Sequence, residues 1–281
     1  LAFEENLGFA GGYNRAIEEL DYQTVILLNS DVELTSGWLD QPMQLLNSSP
    51  EIAAVQPTLR AQRSPKDFEY AGAAGGFIDR LGYPFCRGRI FDTIEEDRGQ
   101  YADSVDLFWA SGACLIIRRA VYREVGGLDT LFFAHQEEID LCWRLNARGW
   151  RIVSAPQSIV YHVGGASLSA DSPRKVFLNF RNNLLMIYKN LPAPTLHRVL
   201  FARMILDLVA MLVYLLRLRP GQAASVLKGW RCFLIKRQRY ESTRQENLKK
   251  TVRPISPELM KPYSLLFQYY FKGRKRYSDL P

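Results

Sequence analysis

The run Val25-Ile26-Leu27-Leu28, followed directly by Asn29-Ser30-Asp31, indicates the fold class of this 281-residue chain. Four apolar residues in a row predict a short buried strand, and the polar residues behind it lie at the strand's C-terminal end. Working outward, further strands are predicted at 52–57, 113–117 and 151–153, and helices at 16–20, 38–46, 121–125 and 139–147. This alternation predicts an α/β fold with a mixed, mostly parallel sheet layered by helices. Residues 60–104, rich in Gly, Arg and Asp, are expected to form a long excursion with hairpins.

Composition excludes several classes of protein. With 47% hydrophobic and 23% charged residues, the chain is neither disordered nor a polytopic membrane protein. Its four Cys are widely spaced, which predicts free thiols in a reducing compartment. No secretory leader opens the chain, so we expect a cytoplasmic location. Because it begins at Leu1, we take it to be a fragment or a processed form.

Common catalytic signatures are missing from the sequence. It contains no G-x-x-x-x-G-K-[ST], no G-x-G-x-x-G after a strand, no H-E-x-x-H and no G-x-S-x-G. P-loop hydrolysis, dinucleotide redox chemistry, zinc proteolysis and α/β-hydrolase chemistry therefore have no support.

The charge is unevenly distributed along the chain. Residues 1–216 carry 20 Lys and Arg against 25 Asp and Glu, a net −5, whereas residues 217–281 carry 16 against 4, a net +12. Ahead of the basic tail, residues 199–216 are apolar except for Arg203 and Asp207, which could pair on one helix face. We expect this helix to dock in the interface of an anionic membrane; a buried helical subdomain and a true span are the alternatives. A solvated tail remains a further alternative.

The first acidic cluster follows the predicted strand that ends at Leu28. In extended geometry Asp31 and Glu33 point to the same side. Carboxylates at the C-terminal end of a strand suit a hard divalent cation that bridges to phosphate oxygens. The alternative is that Asp31, or Thr35-Ser36, caps the helix predicted at 38–46.

The second acidic cluster is Glu137, Glu138 and Asp140, at the start of a predicted helix. Adjacent carboxylates repel, which raises the pKa of one of them and prepares it to accept a proton. The alternative is ordinary first-turn acids that favour the helix dipole, with Asp140 and Arg144 as an i,i+4 ion pair.

His162 follows a short apolar run and precedes a Gly-rich segment at 164–167. A lone His is more often structural than a ligand. Beside Asp31 and Glu33, however, it would complete an oxygen and nitrogen donor set suited to Mg²⁺ or Mn²⁺.

Together these segments resemble family 2 glycosyltransferases with the GT-A fold, in particular bacterial rhamnosyltransferase-like members. The resemblance covers about residues 6–190 in one consistent order. It rests on Asn6-Leu7-Gly8-Phe9-Ala10-Gly11-Gly12-Tyr13-Asn14, Asn29-Ser30-Asp31, Trp109-Ala110-Ser111-Gly112-Ala113, Gly126-Gly127-Leu128-Asp129, Glu137-Glu138-Ile139-Asp140-Leu141-Cys142-Trp143-Arg144 and Tyr161-His162.

The resemblance implies roles for residues. Asp31, Glu33 and His162 would bind Mg²⁺ or Mn²⁺, and Glu138 or its neighbour Glu137 would be the catalytic base, at a position where these enzymes usually carry Asp. Asn29 replaces the first Asp of the family's metal motif. The implied donor- and acceptor-binding residues are Gly11, Gly12, Asn14, Asn29, Trp109, Ser111, Gly112, Asp140 and Arg144, with Asp140 and Arg144 also orienting the base-bearing helix.

The implied enzyme is an inverting hexosyltransferase. It would move a sugar, rhamnose by family resemblance, from a nucleoside-diphosphate sugar to a glycan or lipid-linked acceptor in envelope polysaccharide synthesis. We expect a catalytic domain at 1–190 and a helical, basic, membrane-associating extension at 191–281, on the inner face of the cell membrane. The family's strand and helix units before Asn6 are missing, which predicts an uncovered sheet edge.

Two other classes of function remain open from the sequence. One is a catalytically silent, membrane-docked scaffold derived from a transferase. The other is a nucleic-acid-binding protein, since aromatic residues alternate with basic ones near 263–276. The acidic cluster has no role in nucleic-acid binding, so nucleic acid is not an expected partner.

Overall fold

The computed structural model describes residues 2–164 and 172–281. The Gly-rich segment predicted after His162 therefore lies mostly outside the described residues. The strands are β1 Thr24–Leu28, β2 Val32–Leu34, β3 Ile52–Ala61, β4 Ser64–Phe68, β5 Gly76–Asp79, β6 Pro84–Cys86, β7 Arg89–Ile90, β8 Thr93–Ile94, β9 Cys114–Arg118, β10 Arg151–His162 and β11 Met260–Lys261. The helices are α1 Gly8–Glu19, α2 Asp40–Ser48, α3 Arg119–Glu124, α4 Glu137–Ala147, α5 Pro173–Asn190, α6 Ala193–Leu216, α7 Pro220–Lys236 and α8 Glu241–Lys249.

A mixed sheet with the order β1-β9-β3-β10-β2 lies at the centre, with β4 beside β3. The α/β class and the mixed sheet are confirmed, but the expectation of mostly parallel pairing is wrong. Within this sheet, only β3 and β10 pair in parallel among the described strands. The reason is the long excursion after β3, which returns the chain at the end of the sheet where β3 stops. Strand β9 therefore runs back between β1 and β3.

Helices cover both faces of this sheet because alternate residues of its strands are apolar on both sides. In β1, Val25 and Leu27 belong to the large core that also holds residues of α1, α3 and α4. Ile26 and Leu28 pack on the opposite face, against a smaller core that includes Leu46 of α2. Burial of this apolar area is the main stabilising contribution.

Helix α1 begins earlier than expected. The sequence predicts a loop before residue 16, whereas the helix starts at Gly8 and contains Gly11, Gly12 and Asn14. Tertiary packing overrides the low helix propensity of the glycines. Phe9 and Tyr13 contact each other edge to face, with ring centroids 4.8 Å apart, and both pack against the main core.

The predicted hairpins between residues 60 and 104 are confirmed. They form a second sheet with the order β11-β5-β6-β7-β8. Its outer strand β11 comes from the C-terminal segment, and Tyr277 of that segment lies against Phe77, with ring centroids 5.2 Å apart. The basic tail is therefore ordered against the body, and the alternative of a solvated tail is wrong for the described residues.

The four cysteines have free thiols, as predicted. Strand β1 ends the central sheet, since it pairs with β9 and with no other described strand. On its other edge no described strand pairs with β1, and the backbone N–H and C=O of Leu28 instead hydrogen-bond to Tyr13 Oη of α1.

Candidate active site

Asp31 and His162 meet at one edge of the central sheet. Asp31 lies in the turn between β1 and β2, and His162 is the last residue of β10, which pairs with β2. His162 Nε2 is 3.1 Å from Asp31 Oδ1 and 3.4 Å from Asn29 Nδ2. The structure therefore brings together three residues that the sequence predicts for the metal and donor site.

A fourth residue at this cluster was not predicted. Glu69, which follows β4 and is 4% exposed, places Oε1 3.2 Å from His162 Nδ1. Its other oxygen accepts a hydrogen bond from the backbone N–H of Ala71. Burial lowers the pKa of His162, but Glu69 and Asp31 together raise it above its usual value. No motif marks Glu69, since it is one of several acids in the long excursion.

Glu33 does not join this cluster, so its predicted role as a metal ligand is wrong for this structure. In the β2–β10 pairing, Glu33 is opposite Tyr161, whereas Val32 is opposite His162. Because side chains alternate along a strand, Glu33 projects from the other face of the sheet. The expectation treated residues 31–33 as one strand, whereas Asp31 lies in a turn before β2 begins.

The remaining cluster is compatible with a divalent cation. The described part of the chain contains no group of three or more His, Cys, Asp or Glu side chains arranged as a metal site. Asp31 and His162 would thus supply one oxygen and one nitrogen ligand. Two protein ligands suit Mg²⁺ or Mn²⁺ when substrate phosphate oxygens and water complete the coordination.

Glu137 and Glu138 occupy the first turn of α4, as expected. Burial raises the pKa of Glu138 to about 7, and burial together with the charge of Glu138 raises the pKa of Glu137. Each carboxyl group has one buried oxygen, Oε2, without a hydrogen-bond partner. Buried unpartnered carboxyl oxygens are costly and typical of a functional site.

Glu138 is connected to the Asp31–His162 cluster through one short segment. A methyl group on the α-carbon of Gly112 would lie at an ordinary contact distance, 3.7 Å, from Glu138 Cβ. The next residue, Ala113, accepts a backbone hydrogen bond of 3.0 Å from Asn29. Asn29 in turn contacts His162, so the two acidic clusters border the same strand end.

Asp140 and Arg144 lie inside the protein beneath the base-bearing helix. Their ion pair is confirmed at 3.0 Å. Lys189 Nζ is 2.8 Å from Asp140 Oδ2, and Asn190 donates to Asp140 Oδ1 at 2.9 Å. Burial raises the pKa of Asp140, but the charges of Lys189 and Arg144 lower it by more, so that it lies below its usual value. With every oxygen engaged, Asp140 orients α4 and does not meet a ligand directly.

Asn14 and the GGLD turn form a second internal support. Asn14 Oδ1 accepts from Tyr122 Oη and from Leu128 N, and its amide donates to Leu128 O. Gly127 has φ +63, and a methyl group there would lie 2.5 Å from Asn14 Oδ1. Asn14 therefore holds the turn before α4, and this contact replaces the expected role in donor binding.

Trp109 and Ser111 are buried, at 3% and 2% exposure. Trp109 Nε1 donates to Phe77 O, and Ser111 N donates to Gln56 Oε1. The expected direct contact of these two side chains with sugar or acceptor is therefore wrong for this structure. Within their motif, Gly112 is the residue next to Glu138. Gly11 and Gly12 lie on α1, and Gly12 is next to open space.

The loop before α4 has an unusual backbone conformation. Phe133, His135 and Gln136 all have positive φ, between 67° and 74°. Asn182, fully buried in α5, holds this loop with its amide nitrogen within 3.0 Å of the carbonyl oxygens of Phe132, Ala134 and His135. Strained backbone persists only where surrounding contacts determine it. Sequence reasoning did not find Asn182, because it lies 47 to 50 residues beyond the loop residues that it contacts.

Comparison with known proteins shows the family to which the chain belongs. The sequence model described as glycosyltransferase like family 2 matches residues 2–183. This chain belongs to that family. The family 2 chain is 29% identical over 184 residues to the N-acetylglucosaminyl-diphospho-decaprenol L-rhamnosyltransferase of Mycobacterium tuberculosis, covering 59% of each protein. It is 28% identical over 173 residues to the O-antigen biosynthesis protein RfbC of Myxococcus xanthus, covering 61% of this chain and 13% of that protein.

A solved structure shows the fold of the family 2 chain. The crystal structure of GalNAc-T7 with UDP, GalNAc and Mn²⁺ superimposes with a TM-score of 0.50 at 13% identity, covering 67% of this chain and 36% of that one. The GT-A-like α/β architecture is therefore confirmed. The chain spans about three fifths of the length of the mycobacterial relative.

Replacing Asn182 with Ala tests the support of the loop. We expect Asn182→Ala to lower the free energy of unfolding by roughly 2–4 kcal/mol, because buried carbonyl oxygens lose their donor. Urea unfolding followed by circular dichroism measures it, with Asn47→Ala, an exposed position in α2, as the control. Equal stability of the two variants would mean that Asn182 does not hold the loop.

The raised pKa of Glu138 predicts a pH dependence of stability. Between about pH 4.5 and 7 the folded protein binds more protons than the unfolded chain, so this residue makes the free energy of unfolding fall as pH rises. At pH 8 we expect Glu138→Gln to be more stable than the wild type by on the order of 1 kcal/mol, and at pH 4 to match it. Glu18→Gln, at an exposed site on α1, is the control. If the difference in free energy of unfolding between Glu138→Gln and the wild type were the same at pH 8 as at pH 4, the raised pKa would be contradicted.

Proposed function

We propose that the chain catalyses inverting transfer of a hexose from a nucleoside-diphosphate sugar to a hydroxyl group of a glycan or lipid-linked acceptor. The observation that carries the proposal is the junction of two clusters at one strand end. One cluster, Asp31 with His162, suits a cation bound to a diphosphate. The other holds Glu138, whose carboxyl group has a raised pKa, beside Gly112.

Glu138 is the proposed base, in preference to Glu137. Glu137 is 6% exposed, whereas Glu138 is partly accessible and borders Gly112 at the shared strand end. A pKa of about 7 suits a group that must accept a proton near neutral pH. Glu137 lies beside the base in the first turn of α4 and has no catalytic step in this proposal.

The proposed reaction is a single displacement at the anomeric carbon. The acceptor oxygen forms the new bond to that carbon as its proton passes to the carboxylate of Glu138. The bond from the carbon to the diphosphate oxygen breaks, and the nucleoside diphosphate leaves with the electron pair. Asp31 and His162 would hold the cation that binds the diphosphate end of the donor, and Asn29 orients His162. A bound Mg²⁺ or Mn²⁺ would neutralise charge on the leaving group.

The names of the relatives narrow the substrate class. The mycobacterial relative is named for transfer of L-rhamnose to a diphospho-decaprenol-linked sugar, and the Myxococcus relative for O-antigen biosynthesis. We therefore propose a deoxyhexose such as rhamnose as the sugar, a polyprenyl-linked envelope glycan as the acceptor, and action on the cytoplasmic side of the cell membrane.

The structure gives less support to nucleic-acid binding. The tail aromatics would need open faces on which bases stack. Tyr269 is instead 8% exposed and contacts Phe91 edge to face, and Lys275 lies over its ring. The exposed rings stack within the protein, Phe267 on Phe271 and Tyr270 on Phe91. These groups contribute to the contact between the tail and the second sheet.

The base role is tested by Glu138→Gln, which keeps the shape of the side chain but cannot accept the proton. We expect turnover to fall about 10²–10⁴-fold with the donor Kd unchanged. Product formation from a panel of labelled nucleotide sugars measures it, and Glu18→Gln serves as the control. A silent scaffold would show no turnover in the wild type, and a nearly active variant would exclude Glu138 as the base.

The two acids of the first cluster provide a matched pair for donor binding. We expect Asp31→Ala to weaken Mn²⁺-dependent binding of a nucleoside diphosphate at least tenfold, because it removes a charged oxygen ligand. Glu33→Ala should leave that binding unchanged, since Glu33 lies on the other face of the sheet. Isothermal titration calorimetry with and without Mn²⁺ distinguishes them. Equal losses in both variants would contradict the assignment.

A further inference from the structure

Helix α6 buries its two central charges and exposes an apolar surface. Its four buried residues are Leu196, Val199, Arg203 and Asp207, which form one stripe along the helix. Arg203 and Asp207, 2% and 1% exposed, are the only charged residues in its last 18 positions, 199–216. Within 201–216 the exposed residues are all large and apolar: Phe201, Met204, Ile205, Leu208, Val209, Leu212, Val213, Leu215 and Leu216. A surface helix of a soluble protein shows the opposite arrangement.

The buried pair fixes α6 to the catalytic body. Arg203 Nη1 donates to Leu81 O at 3.2 Å and to Asn183 Oδ1, and its guanidinium lies 4.1 Å from the centre of the Tyr83 ring. Asp207 Oδ2 accepts from Trp230 Nε1 of α7 at 2.9 Å. Among the described residues, α6 alone is long and apolar enough to cross a membrane. With these contacts intact α6 cannot cross a membrane, because the residues that contact its middle would then lie in the hydrocarbon core of the bilayer.

The neighbouring helix α7 continues the exposed apolar surface and adds positive charge. Leu227, Leu234 and Ile235 are at least half exposed on this helix. Lys228 and Arg231 are exposed at helical spacing on the same side. Residues 193–240 contain nine Lys and Arg and a single acid, the buried Asp207.

An exposed apolar area of this size marks an interaction site. The charges beside this apolar surface indicate what binds to it. Apolar residues on a helix with basic residues beside them match the interface of a bilayer that contains anionic lipids. A second copy of this surface would bring like charges together, which is unfavourable.

We infer that the outward faces of α6 and α7 form a docking surface for an anionic lipid membrane, with α6 lying in the plane of the interface. The apolar residues enter the acyl boundary, and Arg217, Lys228, Arg231, Arg237 and Arg239 lie at the level of the headgroups. The surface is independent of the catalytic assignment. It also decides between the interfacial and spanning alternatives for residues 199–216 in favour of the first.

Flotation of the full chain with vesicles tests the inference. We expect the wild type to float with phosphatidylcholine–phosphatidylglycerol vesicles and much less with phosphatidylcholine alone. Leu212→Glu/Leu216→Glu should abolish flotation. Tyr22→Glu/Val252→Glu, a matched change at two other exposed apolar sites, should float like the wild type. Circular dichroism melting establishes that each variant is folded.

Charge reversal separates the electrostatic contribution. Each basic residue near an anionic surface changes affinity about fivefold, so Lys228→Glu/Arg231→Glu should weaken binding at least tenfold at low salt. Arg63→Glu/Lys66→Glu, at exposed sites in the hairpin of β3 and β4, should weaken it far less. Equal losses would overturn the assignment of these helices.

Two further outcomes would overturn the inference. In one, the folded wild type does not float and is a dimer, whereas the Leu212→Glu/Leu216→Glu variant is a monomer. A second copy of the chain would then cover the surface. The other is retention of the protein in native membranes after carbonate washing at high pH, because a helix that lies in the interface is released and a spanning helix is not.

Discussion

The contact between Asp31 and His162 is the constraint on which the site depends. It joins the turn after β1 to the end of β10, two segments separated by 131 residues, and places both beside the segment that leads from Gly112 to β9. The contact exists because β2 pairs with β10 and directs the chain after Asn29 across the strand end. Glu69 Oε1 lies 3.2 Å from the other ring nitrogen without hydrogen-bond geometry, so a carboxylate faces His162 on two sides.

The start of α4, the helix that carries the proposed base, combines features that are locally unfavourable. Two adjacent carboxyl groups begin α4, each with a buried oxygen that lacks a partner, after a loop with positive φ at three residues. Asn182 holds the loop from α5, and Asp140 is held from beneath by Lys189 and Arg144. Such supports stabilise an arrangement that the local sequence disfavours. Asp140 and Arg144 belong to a sequence motif, whereas Asn182 and Lys189 do not.

The sequence predicted the elements that apolar periodicity specifies, and failed where tertiary contacts decide. Strand β1, the hairpins and the helix at Glu138 follow from local pattern. The antiparallel pairing of β9 does not, because it depends on where the long excursion returns the chain. Glu33 was misplaced because a turn, not a strand, contains Asp31. Glu69 and Asn182 act across long separations, and Trp109 matched a motif yet is buried within the core.

We propose that Asp31 and His162 share one divalent cation at the diphosphate end of the donor. Pulsed electron paramagnetic resonance of Mn²⁺ bound with a nucleoside diphosphate tests this proposal. We expect a nitrogen coupling from imidazole in the wild type that disappears in His162→Ala. Bound Mn²⁺ with no histidine nitrogen coupling, or with the same coupling in both proteins, would contradict it.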